Sequence, residues 1–367
     1  PIFCHDHVAG MEALSSAVEP FTPEYVARRA GIAALDLEAA AAMFARDSKR
    51  GIAIIGTGAT MAPRSNLADH LVETLNVVCG RLLRAGEAVL NPGVLSPNRS
   101  FVAEVIPAAR GWEVGPRSST GHGTLFGEKM SGILADEMLL TGDERIRALF
   151  VDGANPAVAL PNQTKAIAGL QRLDLLVAIE PFMTATALLS HYIIPPKLLY
   201  ERADVAKPPG FEGFLSGPAF NQFLPALVDP PIGSQLIDDW YLFWALAKRL
   251  KLPLSYAGVP LDLQGGAPTT EELLEIQFRD ARIPLEVVRS FPLGHIFDDE
   301  KVFVEAGDPM SSHRFQIAPP DVVAELEAVL NEPWSPVADQ PYPFRLIVRR
   351  IRSTHNSLGR KIPESPR

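Results

Sequence analysis

The sequence predicts an α/β fold: a Rossmann-like sheet with flanking helices, then an irregular helical region and the start of a C-terminal β-rich domain. Three observations carry that expectation. Residues 150–151 and Leu175–Ile179, in ALFVDGANPAVALPN and DLLVAIEP, have the unbroken hydrophobicity of strands buried on both faces of a parallel sheet. A Gly/Asn/Pro turn and a stretch of helical periodicity lie between them, the arrangement of a right-handed β-α-β unit. The 27 Gly and 33 Pro of the chain break it into short elements with irregular connections.

In chain order, Thr22 is an N-cap with Pro23 at the first helical position and Glu24 in the first turn, and Gly31 stops that helix. Residues 35–46 carry apolar side chains at helical spacing. In GIAIIGTGATMAPRSN, residues 52–55 read as a buried strand, Gly56 and Gly58 bracket Thr57 in a tight turn, and a helix follows over 65–82. The full dinucleotide fingerprint wants a third Gly where Met61 stands, so ordinary NAD binding is disfavoured. Residues 86–123 are loop-like, and so long an irregular stretch inside a globular chain is usually functional. A helix over 126–140, a strand over 147–151, a crossover helix over 165–173 and the strand Leu175–Ile179 follow. Glu180 ends that strand, where a carboxylate can accept two hydrogen bonds from a cis-diol. The Pro/Gly-rich VAKPPGFEGFLSGPAF and DPPIGSQ lead to a helix over 236–250, whose Ile237, Trp240, Tyr241 and Trp244 form a core-facing stripe. Helices near 271–279 and 321–330 flank loops carrying His295 and His313, neither with a partner at metal or triad spacing. NEPWSPVADQPYP reads as a linker, and a strand opens at 344–348.

A chain of 367 residues suffices for two or three domains with a sizeable core. Its net charge of -9 argues against a general nucleic-acid or anionic-membrane surface. No apolar run approaches the ~20 residues of a membrane span, and PIFCHDHVAG lacks the regions of a signal peptide. Two cysteines, Cys4 and Cys79, are too few for an iron–sulfur ligand set or a disulfide framework. Cys4, His5, Asp6 and His7 are sequence neighbours, which rarely converge on one ion, so no metal site is expected there.

Five motifs stand in a distinctive order: TPEYVARRAGI; GIAIIGTGATM with LNVVCGRLLRAGEA; DGANPAVALPN; AIEPFMTATALLSHYIIPPKLLYERA; and PFRLIVRRIRSTHNS. Together they resemble the molybdopterin-dependent oxidoreductase family of the dimethyl sulfoxide reductase and formate dehydrogenase type, over nearly the whole chain. In that family they correspond to a lead-in helix, a strand-turn-helix, an Asn-Pro turn, a strand end with a Thr-rich turn and alanine-rich helix, and the opening of a C-terminal dinucleotide-binding domain. The resemblance implies a bis-molybdopterin guanine dinucleotide with molybdenum or tungsten, two-electron or oxygen-atom-transfer chemistry, a small-molecule substrate and an electron-transfer subunit as partner. It implies that Thr57 and Met61 touch the pterin, Asn155 the nucleotide, and Ile179 and Glu180 the guanosine or ribose. Arg202 matches a position that in some members is a Lys contacting the dinucleotide, and Asp239 matches an Asp before the long helix. Arg349, Arg350, Ser353, Thr354, His355, Asn356 and Ser357 match the loop that cradles the second dinucleotide. The forked donors of Arg202 and Arg350 suit pyrophosphate oxygens.

On this basis residues 1–50 are a helical lead-in closing a preceding cofactor domain, and 51–205 are an α/β dinucleotide-binding domain. Residues 206–335 are a loop-rich helical region, and 336–367 a linker and the start of the C-terminal domain. Glu180 replaces the commoner Asp, His191 stands where members usually have Asp, and the run after Glu201 lacks the usual Gly-Thr and Asn. The family's metal ligand and any iron–sulfur cysteines precede the matched region. The expectation is therefore an internal segment of a catalytic subunit, inactive alone, with its catalytic residue unknown. His122 and His191 are the polar candidates near the predicted ligand loops. A cytoplasmic location is expected, with the periplasm open. Two other readings stand: another nucleotide-cofactor enzyme such as a thiamine-diphosphate enzyme domain, and a non-catalytic remnant or interaction protein on this scaffold.

Overall fold

The structure, a computed structural model, describes residues 2–48, 50–91, 93–107, 110–125, 127–206, 218–298, 300–333, 341 and 344. The chain divides into two compact units, one of residues 1–82 with 312–367 and one of residues 83–311.

In the first unit the helix Pro23–Ala30 starts and stops where its caps dictate. Thr22 Oγ1 accepts from the Tyr25 amide at 3.2 Å, and Gly31 takes φ 73°, a left-handed conformation that Gly adopts without strain. Ala34–Ala42 follows and runs into a π-helical turn over Met43–Asp47. The helices Ser65–Val78 and Pro320–Asn331 pack through Leu67, Leu71, Val322, Leu326 and Val329. A parallel pairing of Val8–Ala9 with Phe315–Gln316 joins the two stretches of chain.

The buried strand expected over 52–55 does not form. Ile52 and Ile54 are 66% and 79% exposed, and the segment joins no ladder among the described residues. Asn76 stands in for a neighbouring strand at one point: its Oδ1 accepts from the Ala53 amide and its Nδ2 donates to the Ala53 carbonyl, both at 2.8 Å. Hydrophobicity proposes a strand, but a strand also needs a neighbour's peptide groups. Here one buried side-chain amide replaces them.

The second unit is built on a three-stranded parallel sheet of β1 (Ala148–Asp152), β2 (Leu175–Ile179) and β3 (Tyr192–Ile194), in that spatial order. Between β1 and β2 run α1 (Pro156–Ala159) and α2 (Gln163–Gln171), and α3 (Ala185–Leu189) lies between β2 and β3. The central strand is the buried one, with Leu176 and Ile179 fully enclosed, whereas Phe150 on the edge strand is 37% exposed. Val151, Ala157, Leu170, Leu173 and Leu176 form a core with Ala135 and Met138 of the helix Leu134–Leu139. That helix is shorter than the 126–140 expected, because Gly127 sits at φ 79° and a 3-10 turn, Ser131–Ile133, precedes it. It crosses α2 closely: a methyl group added at Gly169 would lie 2.9 Å from the Met138 Cε.

The loop-like 86–123 stretch contains the strand Ala88–Asn91, paired antiparallel with Glu300–Phe303, which ties the two ends of this unit together. The long helix α4 (Asp239–Leu250) buries Trp244 while Tyr241 is 39% exposed, so the aromatic stripe is core on one side and surface on the other. A second core gathers Val94, Leu95, Phe223, Phe278, Leu285 and Val288. His295 is exposed and stacks on Phe291 at 4.1 Å, and His313 is exposed. Of the linker expected over 331–343, Asn331 closes the helix Pro320–Asn331, and residues 334–340, 342 and 343 lie outside the described residues. So do the strand expected over 344–348 beyond its first residue and the loop residues Arg349, Arg350, Ser353, Thr354, His355, Asn356 and Ser357.

Candidate functional site

Open parallel sheets bind ligands beyond the carboxyl ends of their strands, where successive turns leave backbone groups uncovered. In this sheet β1 ends at Asp152, and Gly153 follows at φ 58° with open space around its Cα. Its amide donates to the Ile179 carbonyl at 3.1 Å. Glu180, directly after β2, is half-buried; its amide donates to the Ile194 carbonyl at 3.1 Å. Its Oε1 accepts from the Phe182 amide at 3.1 Å, which leaves the second carboxylate oxygen without a partner among the described residues. The Ile179 side chain is sealed in the core, so its surroundings reach it through the backbone alone.

Asn155 stands at the N-cap position of α1 without a side-chain bond to that helix. Its Oδ1 accepts from the Thr186 amide at 3.2 Å and from Thr186 Oγ1 at 2.8 Å, and Thr186 Oγ1 accepts in turn from the Ala157 amide at 3.1 Å. Arg202 and Asp239, expected separately, are paired: Arg202 Nη1 donates to Asp239 Oδ2 at 2.9 Å. The buried Arg202 Nε has no acceptor among the described residues. Beside this pair, Lys197 Nζ donates to Asp238 Oδ2 at 2.8 Å, and Thr270 Oγ1 donates to Asp238 Oδ1 at 3.1 Å.

Asp152 belongs to the same electrostatic cluster. Its carboxyl is pushed above the ordinary Asp range, first by desolvation and then by the Asp239 charge, with the Arg202 guanidinium pulling the other way. Sequence reasoning applied strand-end logic to Glu180 and could have applied it to Asp152. Thr186 and Asp238 had no such signal, because their roles depend on contacts across turns distant in sequence.

In the other unit, Thr57 opens the one-turn helix Thr57–Thr60 and is exposed, and Met61 is 81% exposed. The two histidine candidates are elsewhere in the second unit's fold. His191 precedes β3, at the amino edge of the sheet, and is locked into the ladder: its Nδ1 accepts from the Leu176 amide and its own amide donates to the Leu176 carbonyl, both at 2.9 Å. His122 Nδ1 lies 2.9 Å from Thr120 Oγ1, which donates to the buried Glu137 at 3.0 Å. Burial works to raise the Glu137 carboxyl, but hydrogen bonds from Ser118 and Thr120 outweigh it, and the group lies below the ordinary Glu range. Among the described residues no three His, Cys, Asp or Glu side chains are placed to hold a metal ion, and no helix is long and apolar enough to cross a membrane.

The family model for molybdopterin oxidoreductase matches residues 26–249, a span that holds every residue of the sheet-edge cluster just described except Thr270. The chain belongs to this family. It is 28% identical over 205 residues to the probable oxidoreductase YoaE of Bacillus subtilis, covering 55% of this chain and 28% of that protein. It is 24% identical over 254 residues to the F420-dependent formate dehydrogenase subunit alpha of Methanocaldococcus jannaschii, covering 68% of this chain and 36% of that protein. The fold is similar to that of acetylene hydratase from Pelobacter acetylenicus, with a TM-score of 0.50 and 19% identity over 94% of this chain and 47% of the other. The chain thus spans about a third of the length of these curated relatives. Family membership removes the thiamine-diphosphate reading.

Proposed function

We propose that the carboxyl edge of β1–β3 holds the nucleotide portion of one pyranopterin guanine dinucleotide, and that the chain is a segment of the catalytic subunit of a molybdenum or tungsten oxidoreductase. The observation that carries the reading is the set of groups gathered at one sheet edge inside the family-matched span: Gly153, Asn155, Glu180 and Arg202. They fit such a ligand. Open space at Gly153 lets a ligand approach the backbone. The second Glu180 carboxylate oxygen can accept from ribose hydroxyls or from a guanine N–H edge. Arg202 Nε is a buried donor without an acceptor among the described residues, and a phosphate oxygen would satisfy it.

When bound, the cofactor supplies two-electron chemistry at its metal. This chain's part is to bind and orient it. Glu180 and Asn155 fix the nucleoside end, and the Arg202–Asp239 pair sets the charge beside it. Thr57 and Met61 are assigned to the pterin, and residues 349–357 to the second dinucleotide. The sheet-edge residues belong to a dinucleotide-binding part over 51–205. A small-molecule substrate and an electron-transfer partner follow from the same reading; the formate dehydrogenase relative is itself named as an alpha subunit.

Guanosine diphosphate, the portion of the cofactor this edge would grip, provides the test. Calorimetry on the full chain is expected to show saturable binding. Glu180→Ala is expected to weaken it about tenfold, the effect of losing roughly 1.4 kcal/mol of charge-assisted hydrogen bonding. Absence of binding by the unaltered chain would overturn the reading.

A further inference from the structure

The hydrogen bonds around Asn155 fix which way its amide faces, and so which atoms it can recognise. A backbone N–H can only donate. The Thr186 amide donates to the Asn155 side chain at 3.2 Å, so the atom facing it must be the oxygen. The Ala157 amide donates to Thr186 Oγ1 at 3.1 Å, which uses a lone pair there and turns the hydroxyl hydrogen toward Asn155 Oδ1, 2.8 Å away. Asn155 Oδ1 thus receives two donors. Thr186 is fully buried and Ala157 nearly so, so water does not compete for these bonds. Ser190 Oγ donates to the Thr186 carbonyl at 2.9 Å and holds the same turn from the other side. What remains on the half-buried Asn155 is Nδ2, whose two N–H groups have no acceptor among the described residues.

We propose that Thr186 is the positioning residue that makes Asn155 a donor-only contact, reserved for an acceptor atom of the nucleotide. This rests on the nucleotide reading above and deepens it. The acceptor is a phosphate or ribose oxygen, or the O6/N7 edge of guanine. Glu180 offers the opposite chemistry, an acceptor for donors. The two strand-end turns therefore divide the ligand's hydrogen bonds by polarity, and a reversed ligand would meet donor against donor at Asn155.

The full chain is titrated with guanosine diphosphate by calorimetry, and the Asn155 side-chain NH2 resonances are followed by NMR. Thr186→Ser keeps the hydroxyl and is expected to bind within about twofold of the unaltered chain. Thr186→Val keeps the shape but removes the hydroxyl, and is expected to bind about tenfold more weakly, with the Asn155 NH2 response to ligand lost. Asn155→Asp keeps the acceptor for Thr186 and replaces the outward donors with an anionic oxygen, so it is expected to fold normally and bind more than about tenfold more weakly. If Thr186→Val does not fold by circular dichroism, Asn155→Asp and the Thr186→Ser rescue decide. Unchanged affinity in a folded Thr186→Val or in Asn155→Asp overturns the assignment while leaving the nucleotide site standing. Absence of binding by the unaltered chain overturns both.

Discussion

Asp152 ends β1 and Glu180 directly follows the neighbouring β2, yet their surroundings set them apart. Asp152 is held toward its neutral form by desolvation and by the charge of Asp239, whereas Glu180 is anchored through one oxygen to a backbone amide. A buried carboxylate that stays charged is found instead at Glu137. Hydrogen bonds from Ser118 and Thr120 hold its folded pKa below the ordinary value. The sign follows from linkage: a group whose pKa is depressed on folding adds stability above its unfolded pKa and loses it as pH falls through the folded one. Stability is therefore expected to be lower at a pH near the ordinary Glu value of about 4.3 than at neutral pH, and to go on falling below it. Glu137→Gln should cost about 1–3 kcal/mol at neutral pH and flatten that decline, as read by urea denaturation at both pH values. A slope unchanged by the substitution would show that other carboxylates govern it.

At the scale of elements, caps behave as local chemistry requires and strands do not. Thr22, Gly31 and Thr269 mark helix ends because their bonds close within four residues. The capping box of Thr269 with Glu272 is complete in both directions. The segment at 52–55 has strand composition, but its partner is a single side chain, Asn76. Asn76→Ala is expected to destabilise the chain by about 1–3 kcal/mol, since it leaves the Ala53 peptide groups without protein partners. Amide hydrogen exchange at Ala53 should accelerate in the same variant. Exchange as slow as in the unaltered chain would show that the segment is held by something else.

At the scale of the whole molecule, the second unit carries its own two cores and joins its own ends. Ala88–Asn91 pairs with Glu300–Phe303, and the Gly86 amide donates to the Val304 carbonyl at 2.8 Å. Residues 83–311 expressed alone are therefore expected to unfold in one cooperative urea transition. A broad, non-cooperative loss of circular dichroism would contradict that.

The sequence by itself determined the β1-α2-β2 core, the caps, the buried central strand and the family, because each depends on periodicity, short-range bonding or ordered motifs. It also pointed to Asn155, in the turn after one strand, and to Glu180, directly after the next. Only the tertiary structure decided which hydrogen-bonding atoms of those residues their neighbours occupy. Asn155 is turned by Thr186, 31 residues on; Arg202 is paired with Asp239, 37 residues on; and His191 is spent on the amino edge of the sheet. The 52–55 run likewise needed the structure to show that no sheet among the described residues receives it. The polarity of an amide and the pairing of a strand are settled by neighbours distant in the chain, and composition carries no record of who those neighbours are.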